Sequence, residues 1–416
     1  MPGPRRVLCL AILGIAAMGL TGHLAAQDDG DPNGDVTATF ANGKNAVIPC
    51  KVVLNSILIP IPTPDKKFAY LLFDTGANAP MLRAEFAQKI RVRSGSEITA
   101  TGIGANTTVG GVSGGITFSL SGVTFHAAHW VILPSTGLDS TYGLPVEGVL
   151  GMDVLKNLVI RIDFAAQTIE FIKRESFRPP AGTVELPLTP NDAGCLVEAT
   201  VKSDAAAATG LFLIDTGNNG TVELSRRFQD RQPGLSFRTL ARNGQSGVGG
   251  TLLTAETICP ALTLGGINVP GPLVDLDQQD QGVESEIDGT IGNEIWRRFD
   301  MTFDLPDNEL YLQKNAHFSE PFSYVTAGMN VLASGDDYKT LTVHEVLPGS
   351  AGERAGFQAG DILAALDELG ATPLKMASVY PLLHRVGAHH FVVLRGGKKI
   401  PLTLELLAPA PGIAPK

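Results

Sequence analysis

Tyr70-Leu71-Leu72-Phe73-Asp74-Thr75-Gly76 and Leu211-Phe212-Leu213-Ile214-Asp215-Thr216-Gly217 are one phrase written twice: four apolar residues, then Asp-Thr-Gly. A given tripeptide falls by chance about once in several thousand positions, so two copies behind two strand-like runs mark a duplication. The aspartates lie 215 − 74 = 141 residues apart. The same offset lays Gly148-Val149-Leu150-Gly151 on Gly289-Thr290-Ile291-Gly292, and Asp163 on Asp304. Two carboxylates in matching settings predict one shared site.

Around each copy the sequence alternates short β-branched or aromatic runs with glycine, the pattern of strands and tight turns. In the first half these runs include Ile57-Leu58-Ile59, Thr117-Phe118-Ser119-Leu120 and Val159-Ile160-Arg161-Ile162; in the second, Cys195-Leu196-Val197-Glu198 and Met301-Thr302-Phe303. Short helices are expected at matching places, over 81–90 and 222–229 after the Asp-Thr-Gly turns and over 153–157 and 294–298 after the glycine-bracketed runs. A Pro-containing connection near Pro179-Pro180 separates the halves, and a second linker covers 315–325. The tail then changes grammar, with strands at 340–343, 362–365, 391–394 and 402–406 and helices at 352–356 and 378–386, the last weakened by Pro381. The expected fold is mainly β: a lobe over 46–178, a second over 179–316, and a small α+β domain over 325–408.

The N-terminus reads as a secretory signal over 1–26, with Arg5 and Arg6, an apolar stretch over 7–20 and a small-residue exit at Leu24-Ala25-Ala26, followed by a flexible leader over 27–45. That apolar stretch is 14 residues long. About 20 are needed to span a bilayer, which makes the alternative of a retained membrane anchor the weaker one; after cleavage no stable membrane insertion is expected, and the mature chain is expected to be exported, periplasmic or extracellular. Cleavage removes two arginines and no acid, moving the formal net charge from −10 to −12. That balance speaks against a nucleic-acid partner. Cys50, Cys195 and Cys259 would remain, compatible with a Cys195–Cys259 bridge and equally with three separate buried thiols. Neither arrangement supplies a metal site.

With both turns and both glycine-bracketed runs placed, residues 47–316 resemble the aspartic peptidases, and more narrowly two retropepsin-like lobes fused in one chain with pepsin-like bilobal logic. The resemblance implies Asp74 and Asp215 as the catalytic pair. Thr75 and Thr216 would lock the two loops together, and Gly76 and Gly217 would permit close backbone approach. Two neighbouring carboxyls cannot both ionise easily, so one keeps a proton while the other acts as base on a bridging water. No cofactor and no metal is implied. The glycine-rich stretches at Gly102-Ile103-Gly104 and Gly247-Val248-Gly249 are the flap candidates. The first candidate contains no tyrosine, unlike pepsin-type flaps. The tail, through Leu347-Pro348-Gly349-Ser350-Ala351 and Gly356-Phe357-Gln358-Ala359-Gly360-Asp361-Ile362-Leu363, resembles the PDZ domains of exported bacterial peptidases, with Gly328 and Met329 in the carboxylate-binding loop. The implied partners are a polypeptide substrate and a peptide C-terminus at the PDZ domain, and a monomer is expected, because tandem lobes find each other at high local concentration.

Competing motifs fail on context. Gly111-Val112-Ser113-Gly114-Gly115 matches Gly-x-Ser-x-Gly, but a strand-like run rather than a helix follows Ser113. His126 and His129 have no third ligand in view. Asp163 and Asp304 sit near strand ends, where acids form turns. The rival from another class is a noncatalytic peptide-binding protein that keeps the cleft. Ala77-Asn78 and Asn218-Asn219 depart from the aspartate often found after the turn in retropepsins, which keeps that rival in play.

Overall fold

The computed structural model describes residues 6–7, 37–41, 45–63, 68–101, 107–135, 137–247, 250–278, 287–369 and 373–408. Most of the expected signal peptide and leader, and the flap candidates Gly102, Ile103, Gly104, Val248 and Gly249, lie outside the described residues.

The chain divides into two compact units, one formed by residues 1–136 with 147–320, the other by 137–146 with 321–416. The first unit holds the duplicated halves. In chain order the elements of the first lobe that carry the argument are β1 Ser56–Pro62, β2 Phe68–Phe73, β3 Met81–Arg83, α1 Ala84–Lys89, β4 Ser94–Thr101, β5 Thr107–Ser113, β6 Trp130–Leu133, β7 Val146–Leu150, α2 Met152–Leu155 and β8 Val159–Asp163. The second lobe repeats them as β9 Gly194–Lys202, β10 Ala207–Ile214, β11 Val222–Leu224, α3 Arg226–Arg231, β12 Ala241–Gly247, β13 Gly250–Ile258, β14 Leu273–Asp277, β15 Gly289–Ile291, α4 Asn293–Trp296 and β16 Phe299–Asp304. The sheet orders match strand for strand: β4-β5-β6-β3-β7-β2-β1 in one lobe, β12-β13-β14-β11-β15-β10-β9 in the other. The fold is therefore mainly β and bilobal, as expected.

Two helix expectations need correction at their starts. Residues 81–83 and 222–224 are strands, and the helices begin only at Ala84 and Arg226. The reason is tertiary pairing. β3 runs parallel to β6 and antiparallel to β7, and β11 does the same with β14 and β15, so each is held between two partners that override local helix propensity. Arg83 and Ser225 then turn the chain out of the sheet, and the Ser225 hydroxyl caps α3 by accepting from the Phe228 N–H at 3.1 Å. Pro381 likewise splits the expected 378–386 helix into an α turn, Met376–Val379, and a 3-10 segment, Tyr380–His384.

The lobes share one sheet. β8 and β16 pair antiparallel, with Arg161 opposite Thr302, Ile160 opposite Phe303 and Ile162 opposite Met301. Since 302 − 161 = 141, Arg161 faces its own counterpart, so the pseudo-twofold axis passes through that pair. Each lobe carries one of the chain's two tryptophans, Trp130 and Trp296, both buried. Cys50, Cys195 and Cys259 are free thiols.

The second unit is an antiparallel five-stranded sheet, β17 Met329–Ser334, β18 Thr340–Val346, β19 Ile362–Leu366, β20 Gly387–Arg395 and β21 Lys398–Leu406, in that spatial order. Helices α5 Ala351–Arg354 and α6 Met376–Val379 accompany it. Asp361, fully buried, takes Nε and Nη2 of Arg395 at 2.6 and 2.7 Å. Gly328 has φ +63°, in the left-handed region that favours glycine, and its carbonyl accepts the Leu347 N–H at 2.9 Å. Its own N–H donates to the Thr326 hydroxyl at 3.2 Å, while Met329 begins β17 opposite Val346. Residues 137–146 join this unit from a distant part of the chain. Leu138 and Tyr142 are buried, Tyr338 donates to Asp139 at 3.3 Å, and a Cβ on Gly143 would stand 3.2 Å from that of Met376 and 3.4 Å from that of Ala333.

Candidate active site

Each Asp-Thr-Gly turn begins where a buried strand ends. Asp74 follows β2, and its N–H donates to the Leu150 carbonyl at 3.2 Å; Asp215 follows β10 and donates to Ile291 at 3.1 Å. The glycine-bracketed runs thus lie directly beneath the two loops. Their glycines are steric requirements: a Cβ on Gly151 would approach the carbonyl oxygens of Ala79 and Ala77 at 2.6 and 2.7 Å, and one on Gly292 the Gly220 oxygen at 2.6 Å.

The loops interlock reciprocally. The Thr75 hydroxyl donates to the Ile214 carbonyl at 2.6 Å and accepts the Thr216 N–H at 3.1 Å. The Thr216 hydroxyl donates to the Phe73 carbonyl at 3.0 Å and accepts the Thr75 N–H at 3.0 Å. Both threonines are buried, so four backbone groups that water cannot reach are each paired by a hydroxyl of the opposite lobe. Each carboxylate is fixed by its own loop. Asp74 Oδ1 accepts from Gly76 and Ala77 at 2.8 and 3.1 Å, and Asp215 Oδ1 from Gly217 and Asn218 at 2.8 and 3.0 Å.

Glycine makes the convergence possible. A Cβ on Gly76 would lie 2.5 Å from the Asp215 Cγ, and one on Gly217 2.4 Å from the Asp74 Cγ. The two carboxyls come within hydrogen-bonding reach of each other. Burial pushes Asp74 up to about 6 against the pull of the Gly76 N–H. Asp215 is raised well above the usual carboxylate range, by burial first and then by the charge of Asp74. Such a pair holds one proton between two oxygens and titrates as a unit, which equips it for acid and base work on one water.

Of the predicted site residues, Asp74, Thr75, Gly76, Asp215, Thr216 and Gly217 converge. Gly247 ends β12 opposite Gly250 of β13, and β4 pairs with β5 on either side of the stretch that holds Gly102, Ile103 and Gly104. Gly328 and Met329 belong to the other unit. Ser113 closes β5 and is followed by another strand, Ile116–Leu120, without the helix a nucleophile elbow requires. Asp163 accepts the Ala166 N–H at 2.7 Å, as a turn former does.

Sequence reading missed Asn293 and Trp296. Asn293, fully buried at the start of α4, donates to the Thr216 carbonyl at 2.6 Å, and the Trp296 indole donates to Ile291 at 2.6 Å, so α4 braces the second loop from below. The first-lobe counterpart of Asn293 at the 141 offset is Met152, so no repeat signal could have drawn attention to it.

Residues 65–154 match the family model of the aspartyl proteases. No curated protein sequence matches the chain. Among solved structures, the aspartic proteinase from Irpex lacteus is similar over 66% of this chain and 99% of its own, at 13% identity and a TM-score of 0.43. Basic 7S globulin from soybean is similar over 67% of this chain and 97% of its own, at 12% identity and a TM-score of 0.38.

Proposed function

We propose that the protein is an aspartic endopeptidase that hydrolyses peptide bonds through a water activated by Asp74 and Asp215. The observation that carries this reading is the reciprocal threonine lock, which holds two buried carboxyls within hydrogen-bonding reach across a pseudo-twofold axis. The ionised member of the pair takes a proton from the water as its oxygen attacks the peptide carbonyl. The protonated member donates to the developing oxyanion, and no covalent intermediate forms. Gly76 and Gly217 keep the carboxyls unobstructed, and α4 keeps the second loop from shifting. The two hairpins serve as flaps that exclude water over a bound polypeptide.

The same reading makes residues 325–408 a PDZ domain, the mature chain an exported monomer after loss of residues 1–26, and a polypeptide the only partner the chemistry requires. Gly143 between Ala333 and Met376 supports a PDZ unit that holds a segment of its own chain beside β17.

The deciding experiment is cleavage of a denatured protein substrate by the purified mature chain over about pH 3 to 7, with Asp74→Asn and Asp215→Asn as controls. Acid-favoured cleavage that each substitution abolishes is expected. Absence of cleavage throughout that range, or equal cleavage by the variants, would hand the chain to the noncatalytic peptide-binding reading.

A further inference from the structure

Near its start each lobe has a hairpin whose two-residue turn reaches the aspartate loop of the other lobe. In the first, strand Lys51–Val53 pairs with β1 so that Val53 faces Ser56, with Leu54 and Asn55 between them. In the second, strand Val184–Asn191 pairs with β9 so that Asn191 faces Gly194, with Asp192 and Ala193 between them. The contacts the two turns make are unequal. Towards the first loop the second-lobe turn offers backbone: the Asp192 carbonyl accepts from Asn78 Nδ2 at 3.3 Å, and a Cβ on Gly194 would stand 2.5 Å from the Thr75 carbonyl oxygen. Towards the second loop the first-lobe turn offers a side chain. Asn55 Nδ2 donates to the Asn219 carbonyl at 3.2 Å and to Glu294 Oε2 at 2.7 Å. Both partners are acceptors, so the amide nitrogen and not its oxygen must face them.

Glu294 is a firm anchor. Its carboxylate takes Arg297 Nη2 at 2.8 Å and Arg298 Nη2 at 2.9 Å, and its N–H donates to the Gly220 carbonyl at 2.8 Å. It sits in α4, whose Asn293 holds the Thr216 carbonyl. Asn55 therefore fixes the second loop at its far end, directly through Asn219 and from below through α4, while the threonine lock fixes the near end at Thr216. The N–H groups of Gly217 and Asn218 that hold Asp215 Oδ1 lie between these two anchors. A single anchor leaves a pivot, whereas two fix an orientation. At the 141 offset the first lobe has Asp153 in place of Glu294, and Asp153 pairs with Lys156 three residues on, both side chains more than half exposed.

We propose that Asn55 is a positioning residue for the dyad, holding the Asp215 loop against the first lobe so that its carboxylate meets that of Asp74. The inference rests on the peptidase reading. This role is separable from the turn itself. Leu54 and Asn55 have φ +51° and +64°, a turn in which asparagine, aspartate and glycine are all at home. Glycine keeps the turn and loses the donor. Aspartate keeps the turn and the shape but sets an acceptor against the Asn219 carbonyl and the Glu294 carboxylate. A residue that served the turn alone would tolerate both.

The test uses the full mature chain with unfolded casein and with a fluorogenic peptide spanning one of its cleaved bonds. Asn55→Gly should lower kcat about tenfold with KM within about twofold, less than the loss a misplacement of about 1 Å brings, because the threonine lock persists. Asn55→Asp should lose more than Asn55→Gly. Asn308→Gly, at another left-handed position (φ +57°), in the turn after β16, should keep the wild-type kcat. Amide hydrogen exchange supplies a readout that needs no turnover: peptides covering 215–222 should exchange about tenfold faster in Asn55→Gly, and those covering 74–80 at the wild-type rate. Asn55→Ser, too short to reach either acceptor, carries the same expectations should the glycine variant fail to fold. An unchanged kcat in Asn55→Gly, a loss confined to KM, an aspartate variant as active as wild type, or unchanged loop exchange would overturn the proposal. A wild type that cleaves nothing, while Asn55→Gly loses loop protection, would fail only the peptidase reading; a wild type that cleaves no faster than Asn55→Gly would fail only this one.

Discussion

Replacing Thr75 by valine removes one oxygen at nearly constant volume and breaks the interlobe lock at a defined place. That oxygen donates to Ile214 at 2.6 Å and accepts from Thr216 at 3.1 Å. Both partners are backbone groups in a site where Thr75 and Thr216 are 2% and 0% exposed, so water cannot replace it. A buried donor or acceptor left unpaired costs about 1 to 3 kcal/mol, so two give a loss of roughly 2 to 6 kcal/mol. Serine keeps the hydroxyl and should recover most of it. Urea unfolding followed by tryptophan fluorescence is a suitable assay, because Trp130 and Trp296 report one lobe each. Thr75→Val combined with Thr216→Val should cost less than the sum of the single changes, since the two hydroxyls belong to one network. A valine variant within about 1 kcal/mol of wild type, or a serine variant as damaged as the valine one, would refute the idea that the hydroxyls hold the lobes in register.

The remaining expectations concern sterics and charge. Gly76→Ala should lower the catalytic rate about 100-fold, because its methyl would push on an Asp215 carboxylate fixed by two N–H groups, and a displacement of about 1 Å has that effect; Gly234→Ala, whose Cβ would meet only Ala206 at 3.6 Å, should leave the rate unchanged in the same steady-state assay. Thermal stability should fall as pH rises from about 5 to 8.5: burial raises Asp74 to about 6, Asp277 to about 7 and Glu256 to about 8, all above their unfolded values, so their contribution is complete at low pH and lost as each ionises. Melting temperatures across that range check the sign, and a protein more stable at the alkaline end would contradict it. Glu223→Met should flatten the fall, since burial first and then the charge of Asp277 also raise Glu223 well above its usual range.

The bilobal plan and the convergence of Asp74 with Asp215 were legible because both depend on local phrases whose pattern recurs in each half. What escaped depends on pairing across the chain. Residues 81–83 and 222–224 look like helix starts in isolation and become strands only between two neighbours. One equivalence between the lobes was hidden for a subtler reason. At the constant offset of 141, Glu223 falls on Leu82, yet register makes it the equivalent of Met81, an offset of 142, because the second lobe spends one more residue before its helix turns away. Glu256, Asp275 and Asp277 are ordinary surface-looking acids in the sequence, and only the ladder between β13, β14 and β11 brings them alongside Glu223.

Where the chain is contiguous and where the molecule is contiguous differ at residues 137–146, and this constrains any dissection of the protein. A truncation after Glu320 would retain Leu138 and Tyr142 while deleting the surfaces that shelter them, including Ala333 and Met376 beside Gly143. Two greasy side chains would then be stranded in water within a ten-residue loop whose C-terminal end runs straight into β7, the strand that presents Leu150 to Asp74. A loss of activity in such a truncation would therefore report an orphaned loop as readily as a missing domain. A fair dissection removes the loop along with the tail, closing residue 135 onto 147 with a short turn.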